Sequence, residues 1–329
     1  MAKTGNRRFW VAAGATVVIG LLATSALAFA TADVVPEPSV ETVDAQPVQA
    51  SASSAEPALG LAPVMPGLPF GDGPIFDRRI VVAYYGTANT GALGVLGEAN
   101  PDKITERLRK AAKPFRSPRA DVQIAYELIV SIADGYPGKD GDYSHDIKRA
   151  DVRRYIDAAH RNKALLVLDL QTGRSGFLEI AKRWAWALKD PYVGLALDPE
   201  WRMGPHQIPA RVIGSVSARE VNRVSQWLGD LTRRNNLPEK VFMLHSFRSS
   251  MLPHIGRIKA RPGLAMVEHV DGFGTQGQKL DTYHAVAYPR SQGGTFHMGF
   301  KLFYDEDIRR MPAKRVGEIR PRVEFVSFQ

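Results

Sequence analysis

From Arg78 to the last residue the chain alternates short apolar runs with stretches of helical periodicity, a pattern that restricts it to a parallel α/β architecture. The predicted strands are Arg79–Gly86, Val122–Ala133, Ala164–Gln171, Tyr192–Trp201, Lys240–Phe247, Leu264–Gly272, Met298–Asp305 and Arg322–Gln329. Helical patterns fall between them at Asp102–Lys113, Ile147–Arg161, Phe177–Leu188 and Ala218–Arg234, with weaker ones at Met251–Ile258 and Gly277–Tyr288. Parallel neighbours need right-handed crossovers, so strands in this order close into a (β/α)8 TIM barrel forming one globular domain. The last strand finishes at the C-terminus, which leaves its outer face to be covered by the preceding linker or a neighbouring loop. A doubly wound open sheet is the competing architecture.

Two segments precede the barrel. In residues 1–32, Lys3, Arg7 and Arg8 are followed by an uncharged stretch from Phe9 to Ala32 with small-residue cleavage patterns such as Ala28-Phe29-Ala30, which reads as a signal peptide. The apolar run approaches the roughly 20 residues that cross a bilayer, so an uncleaved N-terminal anchor is the alternative. Residues 33–77 are rich in Pro, Ala, Ser and acidic groups, without Lys or Arg, the composition of a disordered linker ahead of a barrel domain at 78–329. The expected location is secreted or cell-surface, with membrane contact only through an uncleaved N-terminal segment. The chain has no Cys, which excludes disulfide staples, thiolate metal sites and Cys nucleophiles.

Of 43 basic and 34 acidic residues, three basic ones lie before position 33 and seven acidic ones between 33 and 77, so the barrel alone carries a charge near +13. That field favours anionic surroundings, which outside the cytoplasm means a polysaccharide or other anionic cell-envelope polymer, or membrane headgroups, and no nucleic acid; a solvated, mildly basic surface with no partner is the alternative. No nucleotide-binding fingerprint, Gly-x-Ser-x-Gly or His-Glu-x-x-His occurs, and neither a cofactor nor a metal is expected.

In a barrel the chemistry comes from several strand ends at one rim, and polar residues gather at those positions here. The first strand ends in Tyr85, and the second carries Glu127. The third ends in Asp169 and Gln171, the fourth in Asp198, Glu200 and Trp201. His245 follows on the fifth, Asp271 with His269 on the sixth, and Lys301, Phe303 and Asp305 share one parity on the seventh. Alternation puts Gly194, Ala196, Asp198 and Glu200 on one face of a strand, with Val193, Leu195 and Leu197 on the other. Buried ionisable groups are costly unless paired or solvated, so acids and a lysine at these positions indicate a wet functional mouth or an internal ion-pair network, with Glu127 and Lys301 neutralising each other in the latter case.

Val193-Gly194-Leu195-Ala196-Leu197-Asp198-Pro199-Glu200 resembles the fourth-strand signature of family 18 glycoside hydrolases, the chitinase-like barrels, and Val81-Val82-Ala83-Tyr84-Tyr85-Gly86 is similar to that family's first strand. Family 25 lysozymes also end a strand in Asp-x-Glu. The chain departs from family 18 in lacking its upstream Asp residues, its later Tyr and its last-strand Trp. The resemblance implies that Glu200 is the proton donor and Asp198 its neighbour, which orients a substrate acetamido group or tunes the Glu. Asp169 on the adjacent strand is the independent second carboxylate. Around these catalytic candidates, Tyr85, Trp201 and Phe303 would offer apolar faces to a sugar, and Glu127, Gln171, His245, Asp271, Lys301 and Asp305 polar groups. The expected function is hydrolysis of a cell-envelope polysaccharide by carboxylate acid/base catalysis. The alternatives are a glycan-binding surface barrel without turnover, and a metal-dependent phosphodiesterase-type hydrolase using Asp169, Asp198, Glu200, His245 and Asp271.

Overall fold

The computed structural model describes residues 67–71, 73–289 and 293–329. The signal or anchor segment and most of the linker therefore lie outside the described residues. The strands are β1 (Arg79–Gly86), β2 (Asp121–Ala133), β3 (Ser144–Asp146), β4 (Leu165–Leu170), β5 (Val193–Leu197), β6 (Lys240–Ser246), β7 (Leu264–Val270), β8 (His297–Leu302) and β9 (Val323–Phe328). All pair in parallel in chain order except β3, a short antiparallel addition to the outer end of β2, and the β1–β2 and β1–β9 pairings close the ring. The result is a closed eight-stranded parallel barrel, which excludes the open doubly wound sheet.

Period-two alternation divides the apolar side chains between two clusters. Residues of one parity, including Leu166, Leu168, Leu195 and Leu197, pack outward on the helices, while Val81, Ala83, Ala125, Val167, Ala196, Met243 and Phe325 fill the interior. The outer layer consists of α1 (Pro101–Ala112), α2 (Arg149–Asn162), α3 (Phe177–Arg183), α4 (Ala185–Leu188), α5 (Ala218–Arg234), α6 (Gln276–Val286) and α7 (Ala313–Glu318). Their starts follow capping chemistry: Asn100 Oδ1 accepts from the Lys103 N–H at 3.0 Å ahead of Pro101, Ser217 Oγ from the Glu220 N–H at 3.2 Å, and Thr275 and Gln278 form a reciprocal capping box.

Four local expectations are corrected. The fourth barrel strand stops at Leu197, because Pro199 has no N–H for a ladder and opens a 3₁₀ turn over Pro199–Trp201 that Asp198 caps. The helix expected at Phe177–Leu188 is broken at Trp184, whose buried indole donates to Ser131 Oγ at 3.1 Å. At Met251–Ile258 there is no α-helix; Pro253 and a left-handed His254 (φ 61°) separate two 3₁₀ turns. Leu68, Ile75 and Phe76, within the stretch read as linker, are buried against the interior residues Val81, Leu165 and Val241 and so plug the N-terminal floor of the barrel. Among the described residues β9 is the last element. Neighbouring segments cover it: Tyr304 of the loop after β8 stacks on Phe328 at 5.6 Å, and Phe115 meets Phe328 edge-on at 6.1 Å.

Candidate active site at the barrel mouth

Proceeding up each strand, the interior side chains change from apolar to ionisable at the last inward positions. Tyr85 on β1, Glu127 on β2, Asp169 on β4, His245 on β6, His269 on β7 and Lys301 on β8 are all buried, as is Asp198 just beyond β5, and Asp271 follows β7. Strand parity places all of these. Glu200 owes its position to the 3₁₀ turn instead, in which its N–H donates to Asp198 Oδ1 at 3.2 Å, and its side chain is partly exposed.

His245 is the hub. Its Nδ1 lies 2.7 Å from Asp271 Oδ2, and its Nε2 is 2.8 Å from Glu127 Oε1 in a fully buried ion pair. His269 stacks on His245 with ring centres 5.2 Å apart and is anchored through Nε2 to Ser327 Oγ at 2.7 Å. The Lys301 ammonium sits 3.5 Å from Asp271 Oδ2 and 3.5 Å from the centre of the Tyr85 ring. Tyr85 donates its hydroxyl to Asp169 Oδ2 at 2.9 Å and accepts from Gln171 Nε2 at 3.3 Å, while Gln171 Oε1 takes the Ala133 N–H. The structure thus brings together Tyr85, Glu127, Asp169, Gln171, His245, Asp271 and Lys301. It also leaves Glu127 Oε2, Asp169 Oδ1, Asp271 Oδ1 and His269 Nδ1 buried without a hydrogen bond, although buried polar groups are ordinarily satisfied.

The acids separate into two protonation classes. Burial raises Glu200 to about 7, with the Asp271 charge adding to the rise and Lys301, His245 and Arg248 opposing it. Asp198 is pushed well above the carboxylate range by burial and then by Asp169, and burial raises Asp169 to about 6 against the pull of His245. Burial also acts on Asp271 and Glu127, but His245 outweighs it together with Lys301 and His269, holding Asp271 far below the ordinary carboxylate range and Glu127 below its usual value. Burial would discharge His245; the Asp271 and Glu127 carboxylates keep it charged, well above an ordinary histidine. His269 is lowered by burial to about 4 and is neutral.

Some expected groups are not in this cluster. Asp305 is exposed on the loop after β8; Asp307 turns inward instead, accepting the Phe303 N–H at 3.0 Å and pairing with Lys279 at 2.9 Å. Trp201 is half-buried on the 3₁₀ turn and has no ring contact to the cluster among the described residues. Phe303 is buried beside the mouth, 5.7 Å from Lys301 Nζ and edge-on to Phe273 at 5.8 Å. Glu127 pairs with His245 and Lys301 with Asp271, so the direct Glu127–Lys301 neutralisation is replaced by a chain of charges. Residues not singled out from sequence are Ser327, Lys279 and Asp307. The parity of β9 was the signal for Ser327, whereas nothing local marks a pairing between a helix and a loop 28 residues apart.

Among the described residues, no group of three or more His, Asp or Glu side chains has the arrangement to hold a metal ion. The large apolar side chains exposed among the described residues are Tyr136, Val212, Ile213, Phe273, Tyr304 and Ile308, and every one lies on a loop leaving the C-terminal end of a strand, around this mouth. No helix among the described residues is long and apolar enough to cross a membrane.

No protein-family model and no curated protein matches the chain. Among solved structures, the chain is similar to a provisionally assigned alpha-L-fucosidase from Bacteroides thetaiotaomicron at 9% identity and a TM-score of 0.40, over 84% of this chain and 91% of that one. A likeness at that level says nothing about chemistry. The closed parallel barrel itself agrees with the glycosidase-like barrel implied by the sequence resemblance.

Proposed function

We propose that the protein is a glycoside hydrolase acting on a polysaccharide of the cell envelope, with Glu200 as proton donor. The observation that carries this reading is the coexistence, in one mouth, of a carboxyl held protonated near neutral pH and a carboxylate held ionised, the division of labour that glycosidic cleavage requires. Glu200 is the first. Asp271, whose charge acts on Glu200 and which is fixed by His245 and Lys301, is the second. In this scheme Glu200 protonates the leaving-group oxygen while Asp271 supplies negative charge to the developing oxocarbenium ion or activates water. Asp198 stays neutral and orients Glu200 through its backbone. Glu127 Oε2 and Asp169 Oδ1, which have no hydrogen bond, are acceptors for sugar hydroxyls, and the exposed aromatic and aliphatic side chains on the surrounding loops suit the apolar faces of a polymer. Secretion or surface display of the barrel, through residues 1–32 and the linker after them, belongs to the same proposal. Neither family 18 nor family 25 is assigned; the Asp-x-Glu pattern supports the roles of Asp198 and Glu200 without choosing between them.

The test is turnover of purified peptidoglycan and of chitin-like oligosaccharides by the wild-type protein and by Glu200→Gln. Loss of a general acid is expected to cost about 10²–10⁴-fold in kcat with affinity retained. A rate limited by protonated Glu200 falls as pH rises through about 7, and the Gln variant lacks this limb. Equal turnover by both proteins removes Glu200 from the chemistry; equal binding without turnover by either makes the barrel a glycan-binding module.

A further inference from the structure

A second feature lies on the outer wall, away from the mouth. Between α5 and the segment 254–261 runs an open groove of about 950 Å³ with Arg219, Arg223, Arg234, Arg257, Lys259 and Arg261 along its walls. Asp230 is the one acid that lines it, and its carboxylate is engaged by Arg233 at 2.9 Å. Some arginines elsewhere on the barrel are ion-paired, as in Arg107–Glu98, Arg161–Asp102 and Arg315–Glu318, and others, such as Arg149 and Arg153 beside Trp186, are not. What distinguishes the groove is that five such groups gather in it beside one acid: Arg219, Arg223, Arg234, Arg257 and Lys259 have no acidic partner among the described residues.

The walls are set in advance. Arg219 and Arg223 are four residues apart on α5, about one turn or 6 Å along the axis, and Trp227 follows one turn later. The opposite wall is tied to α5 by Asn222, whose Nδ2 donates to the Arg257 carbonyl and whose Oδ1 accepts the Lys259 N–H, both at 2.9 Å. Arg261 in turn donates to the Asn222 carbonyl at 3.3 Å. The backbones of the two walls that carry these cations are therefore tied together before anything binds.

We infer that this groove binds a linear polyanion, a phosphodiester-linked polyol chain of the cell envelope, and so holds the barrel on an anionic matrix independently of the chemistry at its mouth. Charge complementarity selects a polyanion. A single half-buried tryptophan is no succession of stacking faces of the kind that retains single-stranded nucleic acid, which favours a backbone without bases. The inference shares the envelope setting of the proposed function and does not depend on turnover.

Calorimetric titration of the full-length protein with poly(glycerol phosphate), at about 50 and 200 mM salt, tests it. Wild-type binding should weaken steeply with salt. The Arg219→Gln/Arg223→Gln pair should bind about tenfold more weakly with a salt slope flatter by about 2, and Arg257→Gln/Lys259→Gln should reproduce this from the other wall. Lys103→Gln/Lys110→Gln on α1 removes the same net charge elsewhere and should bind as the wild type does. Absence of wild-type binding, equal losses at α1 and the groove, or tighter binding of single-stranded DNA of equal charge would each overturn the assignment. Glycosidase turnover by Glu200→Gln is a separate readout, so failure of one proposal leaves the other standing.

Discussion

Gly299 shows how closely the mouth depends on one absent side chain. It faces inward on β8 opposite His269 of β7, and a Cβ there would stand 3.0 Å from both Cγ and Nδ1 of that ring. His269 stacks on His245, which holds Asp271, so the space left by Gly299 is transmitted to the ionised carboxylate. Gly299→Ala is expected to displace the imidazole pair and lower kcat by up to about 10²-fold, with a stability loss of about 1–3 kcal/mol. Steady-state kinetics beside urea unfolding checks this; a variant that loses stability but keeps kcat would show that the His269–His245 stack does not position the acids. At this scale strand parity showed which side chains meet. It did not show who partners whom, because the Glu127–His245–Asp271–Lys301 chain depends on rotamers and on depth along four strands that are distant in sequence.

At the level of elements, the mouth is held on one side by α6 rather than by a strand. Lys279 of α6 is buried and spans from the Asp307 carboxylate at 2.9 Å to the carbonyls of Gly272 and Lys301, joining the loops after β7 and β8. Lys279→Met leaves Asp307 as a buried charge without its cation and should cost about 3–5 kcal/mol, while Lys279→Met with Asp307→Leu should recover much of that. Denaturant unfolding of the two variants gives the comparison; equal stability of single and double variants would refute a buried pair. The same architecture explains why this helix was faint in the sequence. Its buried residues are Lys279 and Tyr283, not an apolar stripe, so periodicity had little to register. By contrast, α5 carries Val221, Val224, Leu228 and Leu231 on one face, and its predicted limits, Ala218–Arg234, match those observed. Where elements ended early, a proline or a cap decided: Pro199 stops β5 and Pro253 interrupts the segment before β7.

For the molecule as a whole, the alternation of apolar runs specified a parallel α/β sheet with one-handed crossovers, which a doubly wound sheet shares, and closure is shown by the β1–β2 and β1–β9 pairings. The floor was not legible, because residues 67–77 contain the Pro, Gly and Asp of a spacer and only a few apolar side chains among them. Those few do the sealing. Ile75 and Phe76 lie with Leu68 under the interior layer of Val81, Leu165 and Val241, and the Ile75 N–H donates to Glu239 Oε2 at 2.7 Å. The barrel is therefore polar and unsatisfied at its C-terminal mouth and apolar and closed at its N-terminal end, which separates the packing of the floor from the candidate site. Ile75→Ala should test that division: removing a fully buried side chain should cost about 2–5 kcal/mol and lower the melting temperature, while kcat below the transition stays at the wild-type value. An unchanged melting temperature would mean that the barrel's stability does not depend on the Ile75 contact. A matching fall in kcat would mean that the two ends of the interior are coupled through the layer of Val167, Ala196 and Met243 that separates them.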